Sequence, residues 1–195
     1  MGNAIKKNSA CFCAITVSMC ISPLDCRGQD NAVQQLMILQ YRAEQAVSTA
    51  DDALVQTALK VADAVVAFKR KTNRFPASWN EVAVLFPIRP TRNPYLQDDM
   101  LRTQLSTQQA NTNDRVNELV DIRVFSDVAV SPASIEHFRR FPPKDWKFPA
   151  GTITIIHNTE NQFVIWCAGF DGLPIREKGK DRILLIARDL SQQYQ

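Results

Sequence analysis

Residues 54–76 read LVQTALKVADAVVAFKRKTNRFP, and the fold is decided there. Leu54, Ala58, Val61, Val65 and Phe68 are spaced by three or four, which gives one apolar stripe on an α-helix. Lys69, Arg70, Lys71 and Arg74 follow, and cations near a helix C-terminus complement its dipole and free carbonyls. A phosphate-binding role is the functional alternative for this cluster. Asn73 suits a left-handed exit, and Phe75-Pro76 stops the helix.

Read backwards, the stripe continues through Ala50, Val47, Ala43, Leu39 and Leu36. No Pro or Gly interrupts residues 29–75. The pattern predicts helix from Asn31 to about Thr72, roughly 60 Å long at about 1.5 Å per residue. Either its N-terminal half projects from the body, or the helix restarts near Ser48-Thr49, where Thr49 and Asp52 have capping-box spacing. Along the stripe, Val61, Val65 and Phe68 are bulky enough to pack on a sheet. Ala43, Ala46 and Ala50 are small and suit the close approach of another helix. The expected interaction face is therefore Ala43, Val47, Ala50 and Leu54.

Read forwards, Ser78 caps a short expected helix, Trp79 to Leu85. Pro87, Pro90 and Pro94 then force an extended path. Residues 97–118 are polar and rich in Gln and Asn, and read as a mobile loop with a helical turn around 100–105. Val120–Phe125 alternates as a strand does. Ser131–Arg140 reads as a helix with Pro132 at its first position. Thr152–His157 and Gln162–Cys167 form a β-hairpin, and Arg182–Ala187 is a further strand. A long helix followed by strands indicates an α+β fold, the helix laid on a small antiparallel sheet.

The N-terminus is of different composition. Lys6 and Lys7 precede an uncharged stretch, Ala10 to Leu24, which ends at Asp25 and Arg27. Residues 1–28 thus read as a signal peptide or a short membrane anchor, with 29–195 as the folded domain. Cleavage before Gln29 and before Ile21 are both compatible with the small residues present. Val17-Ser18-Met19-Cys20 has lipobox spacing, with an oversized Met19. Four of the five Cys (Cys11, Cys13, Cys20, Cys26) lie in this leader, so Cys167 alone would remain after cleavage and no internal disulfide could form.

The chain of 195 residues carries a net charge of +3 and 45% hydrophobic residues, which fits one globular domain. No run of five like charges occurs, and nothing in the charge pattern points to nucleic acid. Without residues 1–28 the balance is 20 basic against 19 acidic residues. No glycine-rich phosphate loop, nucleophile elbow or zinc spacing is present. Cys167, His137 and His157 raise a Cys–His hydrolase reading, but Cys167 stands late in a predicted strand beside Trp166, where a thiol acts as a small apolar group. The chain therefore reads as a non-enzyme, and no small-molecule substrate is indicated.

Three features in order resemble the soluble part of the type II secretion major pseudopilin and its pilin-like relatives. They are the long Ala-rich helix running into Phe68-Lys69 and Asn73-Arg74-Phe75-Pro76, then Asn93-Pro94-Tyr95, then the late hairpin closed by Ala168-Gly169-Phe170-Asp171-Gly172. The resemblance spans about residues 40–175, with an enlarged middle at 96–148. It implies an exported structural protein, periplasmic or held at the cell envelope, acting by protein–protein packing. Its partners would be other subunits or secretion-system components, with the inner membrane reached through residues 1–28. It also implies calcium in the loop after Asp171-Gly172, where Asp171, Glu177 and Asp181 are the carboxylate donors. The family's N-terminal signature, a processed Gly leading an apolar helix with an early Glu, is absent: Gly28 is followed by polar residues and Glu44 comes late. The alternative is a periplasmic or extracellular binding module that uses the fold without filament assembly.

Overall fold

The computed structural model describes residues 26–86, 89–109, 115–127, 132–158 and 161–190. The expected leader lies almost wholly outside them. The chain divides into two compact units, Met1–Ile38 and Leu39–Gln195. The described part of the first is helical throughout, and its Val33, Leu36, Met37 and Ile38 side chains are exposed.

Helix α1 runs over Cys26–Thr72 without interruption. The restart expected near Ser48-Thr49 does not occur. The Thr49 hydroxyl donates to the Gln45 carbonyl at 2.9 Å, a bond made within a continuing helix. The end falls where the sequence put it. Asn73 has φ 57°, its N–H donates to the Lys69 carbonyl at 2.8 Å, and Lys69 Nζ donates to the Asn73 carbonyl at 3.2 Å. Lys69 is buried there with its ammonium 5.0 Å from the centre of the Phe75 ring, so the helix end and the ring share one cation.

Within the second unit, α1 is followed by α2 (Trp79–Leu85), α3 (Asp99–Gln109), β1 (Asp121–Ser126), α4 (Pro132–Arg140), β2 (Thr152–His157), β3 (Gln162–Cys167) and β4 (Ile186–Asp189). The fold is α+β. The strands form one sheet in the order β1-β2-β3-β4. The sheet is mixed and not wholly antiparallel, because β1 pairs with β2 in parallel, Asp121 opposite Thr152 through Ser126 opposite His157. A parallel pair needs a crossover of a dozen or more residues, and the segment holding α4 supplies it. The β2–β3 and β3–β4 pairs are antiparallel. The last strand begins at Ile186 and not at Arg182; Ile183 instead forms an isolated bridge with Arg176.

Both faces of the sheet are covered, which is why β2 and β3 read as nearly unbroken apolar runs. On the inner face Ile153, Ile155, Phe163, Ile165 and Cys167 share a core with Leu54, Ala58, Val61, Ala62 and Val65 of α1. On the outer face Ile156, Val164, Trp166 and Ala168 pack with Trp146, Ile183 and Leu185, joined by Ile135 and Phe138 of α4. Trp146 and Trp166 stack at 5.3 Å with planes 6° apart, and Phe148 stacks on Trp166 at 5.5 Å. A third cluster joins Phe68 and Ala64 to Val82 of α2, so Phe68 faces α2 and not the sheet as expected.

The segment expected as a mobile polar loop, 97–118, contains α3. Asp98 Oδ1 accepts from the N–H groups of Met100 and Leu101 at 2.9 and 3.0 Å, an N-cap, and Leu101 and Leu105 are buried in the inner core. Two leucines four apart outweigh a polar average once one helical face has a core to enter.

The turn at Asn93-Pro94-Tyr95 joins the parts. Asn93 is 1% exposed. Its Nδ2 donates to the carbonyls of Ala150 at 2.8 Å and Asn117 at 3.2 Å, while Oδ1 accepts from the Tyr95 N–H at 3.1 Å. Gly151 (φ 85°) lies so close that a Cβ there would sit 2.3 Å from Asn93 Nδ2. Asn93→Ala and Gly151→Ala are each expected to lower stability by about 2–4 kcal/mol in chemical denaturation. Because both act at one contact, the double variant should fall well short of the sum.

Candidate functional site

The face expected to meet a partner is turned inward over most of its length. Ala50 and Leu54 are buried in the inner core, Val47 packs against that core, and Ala43 is half-buried. Those positions are thus corrected from an interaction face to part of the domain's own packing. Their spacing fits either use, and only the presence of the inner sheet face decides it. Val61 and Val65 are buried in the same core, as expected. The exposed apolar residues of α1 lie further toward its N-terminus: Leu36 at 65%, Met37 at 67% and Tyr41 at 62%, with Val33, Ile38 and Leu39 also exposed. Gln40 bonds to Glu44 and Gln45 to Tyr41 along the same stretch, so its polar residues pair locally.

A polar cluster that the sequence reading missed lies at the seam of α1 with the body. The Tyr95 hydroxyl, fully buried, donates to Asp51 Oδ1. Burial pushes the Asp51 carboxyl up to about 6; the charges of Asp171 and Asp52 add to this, against the Tyr95 bond and Lys178. Burial and the Asp51 charge together hold the Tyr95 phenol protonated. The Cys167 thiol, first by burial and then by the Asp51 charge, is pushed up to about 12. A thiolate nucleophile needs the opposite surroundings. The histidines have other partners: His157 stacks on Phe75 at 4.9 Å, and His137 lies against Phe138 and Phe141 of the α4 region. The signal for Asp51 in the sequence was slight, an acidic residue one step along the helix from buried Ala50.

The three calcium candidates are not brought together. Asp171 Oδ1 accepts from the Leu173 N–H at 2.9 Å, closing an Asx turn. Glu177 pairs with Arg182 at 2.7 Å and Lys180 at 3.1 Å, and Asp181 pairs with Arg176. Among the described residues no group of three or more His, Cys, Asp or Glu stands where it could hold a metal. The basic residues at the end of α1 also have local uses. Arg74 bonds Glu81 at 2.8 Å and lies over Phe68, and Lys71 lies over Phe86. A shallow cleft lined by Arg140, Lys180, Asp181 and Arg182 is a salt-bridge network, with Glu136 and Glu177 neutralising its cations. Among the described residues no helix is long and apolar enough to cross a membrane.

Comparison with protein-family models, with curated proteins and with solved structures finds no match.

The buried carboxyl makes stability depend on pH. Asp51 binds its proton more tightly in the folded chain than in the unfolded one, where its value is 3.8. Its contribution is therefore complete below about pH 4 and is lost as pH rises through about 6. Asp51→Asn keeps an acceptor for Tyr95 and removes the charge. Relative to wild type it should be more stable by about 2 kcal/mol near pH 8, and the difference should vanish near pH 4, read by urea denaturation across that range.

Proposed function

We propose that the protein is a pilin-like structural subunit, exported and held at the cell envelope, that acts by packing against other protein chains and not by turnover. Its partners are other subunits or components of a secretion machine, and residues 1–28 carry export or attachment to the inner membrane. One observation carries the reading: six large apolar side chains between Val33 and Tyr41 are exposed on α1, while the same helix is sealed into a core from Ala50 onward. Apolar side chains clustered on a helix that its own domain leaves uncovered are the usual mark of a binding face. The docking element is thus the N-terminal part of α1, displaced toward its start from the Ala43–Leu54 face that the sequence suggested. The buried, protonated state of Cys167 and the separate placement of both histidines fit a role without catalysis.

The lack of a Gly–apolar–Glu start favours a second reading, a periplasmic or extracellular binding module released from its leader. In that case α1 would receive a ligand protein without building a filament.

A photo-crosslinking residue placed at Leu36 or Met37 of the full chain, expressed in its native cell, should give discrete protein adducts. The same residue at Val84, 81% exposed and distant in sequence, serves as the control. Adducts at all three positions alike, or none at Leu36 and Met37, would remove the docking role. Ladders of self-adducts support the subunit reading, and a single hetero-adduct with a chain trimmed to near residue 28 supports the binding module.

A further inference from the structure

Four elements of the second unit meet at the Asp51 carboxylate, and one of them is a loop. Asp52 is its neighbour on α1. Tyr95 reaches it from the Asn93-Pro94-Tyr95 turn, and Cys167 lies behind it at the end of β3. Residues 171–182, the loop after β3, bring Asp171 and Lys178, both of which act on Asp51 electrostatically. The loop is tied to the helix by Lys178 Nζ on Asp52 Oδ2 at 2.7 Å, a bond between side chains that are 71% and 61% exposed. Ion pairs in such exposed positions are weak. The remaining charged groups of the loop are occupied with each other, Arg176 with Asp181 and Glu177 with Lys180 and Arg182.

The balance of charge across this seam depends on a proton. With Asp51 neutral, the loop's Lys178 faces Asp52 and its Asp171 faces an uncharged neighbour. With Asp51 ionised, Asp51, Asp52 and Asp171 stand together against one lysine. The effect of Asp171 on Asp51 is larger than the opposing effect of Lys178, so the net force of a charged Asp51 on the loop is repulsive. We propose that Asp51 is a proton-operated catch for residues 171–182: protonated, it lets the loop rest on α1; ionised, it loosens that loop while the sheet stays intact. The catch is independent of the docking face on α1, and it makes the presentation of this loop a property of the surrounding pH.

Hydrogen exchange of the full chain, followed by mass spectrometry between about pH 5 and about pH 8 and corrected for intrinsic rates, reads this directly. Peptides covering 171–182 should lose protection by about tenfold as pH rises, with a midpoint near 6, while peptides from β2 and β3 keep theirs. Asp51→Asn should hold the loop protected at every pH. Asp171→Asn, which preserves the turn acceptor for Leu173, should shrink the loss. Wild-type protection that is flat with pH overturns the proposal, as does a full loss in Asp51→Asn. If that variant does not fold, Asp171→Asn decides: a loss as large as in wild type overturns the catch, and a smaller one supports it.

Discussion

The carboxamide of Asn93 is shut away from water, so each of its polar atoms must find a partner in the protein or leave an unpaired group in the interior. It finds them on three separate stretches of chain: its own turn, the approach to β1 at Asn117 and Glu118, and the entry to β2 at Ala150. The two sheet-entering stretches are the ones that must lie side by side for β1 and β2 to pair in parallel. Tyr95, two residues on, then carries the same turn to α1 through Asp51. A single amide, with a glycine beside it that leaves room for its approach, thus sets the relation of the helix to the sheet and of β1 to β2.

From that joint the layers follow. The inner face of the sheet is closed by α1 and by Leu101 and Leu105 of α3, and the outer face by α4 and the rings of Trp146, Trp166 and Phe148. With both faces covered, the domain has used its own apolar strand residues completely. What α1 still exposes lies toward its start, and this is why docking is assigned there and chemistry is not assigned to the interior.

Much of this was legible in the residues. The end of α1 at Thr72, the left-handed Asn73, α2, α4 and the β2–β3 hairpin each rest on local rules of capping, proline placement or alternation, and the structure has all of them. The misses share one cause, long-range context. Leu101 and Leu105 make α3 a helix only because an apolar surface awaits them. The parallel register of β1 depends on a crossover that no local pattern specifies. Ala50 and Leu54 have a spacing equally fit for a partner helix or for a sheet of the same chain. Asp51 and Asn93 were the least visible, since a buried polar residue is recognised by its partners, and these lie 44 and 57 positions away.

The parallel β1–β2 pairing also fixes an order of events in time. β2 and β3 are joined by a connection of a few residues, so their ends meet at little entropic cost. β1 can reach β2 only after the intervening chain has closed a much longer loop and α4 has found the outer face. Assembly of the polypeptide therefore runs outward from the hairpin, with β1 the late arrival. A nascent chain leaving its site of synthesis would hold β1 and its apolar residues unpaired until the hairpin had emerged, an interval in which an escort protein would find its foothold.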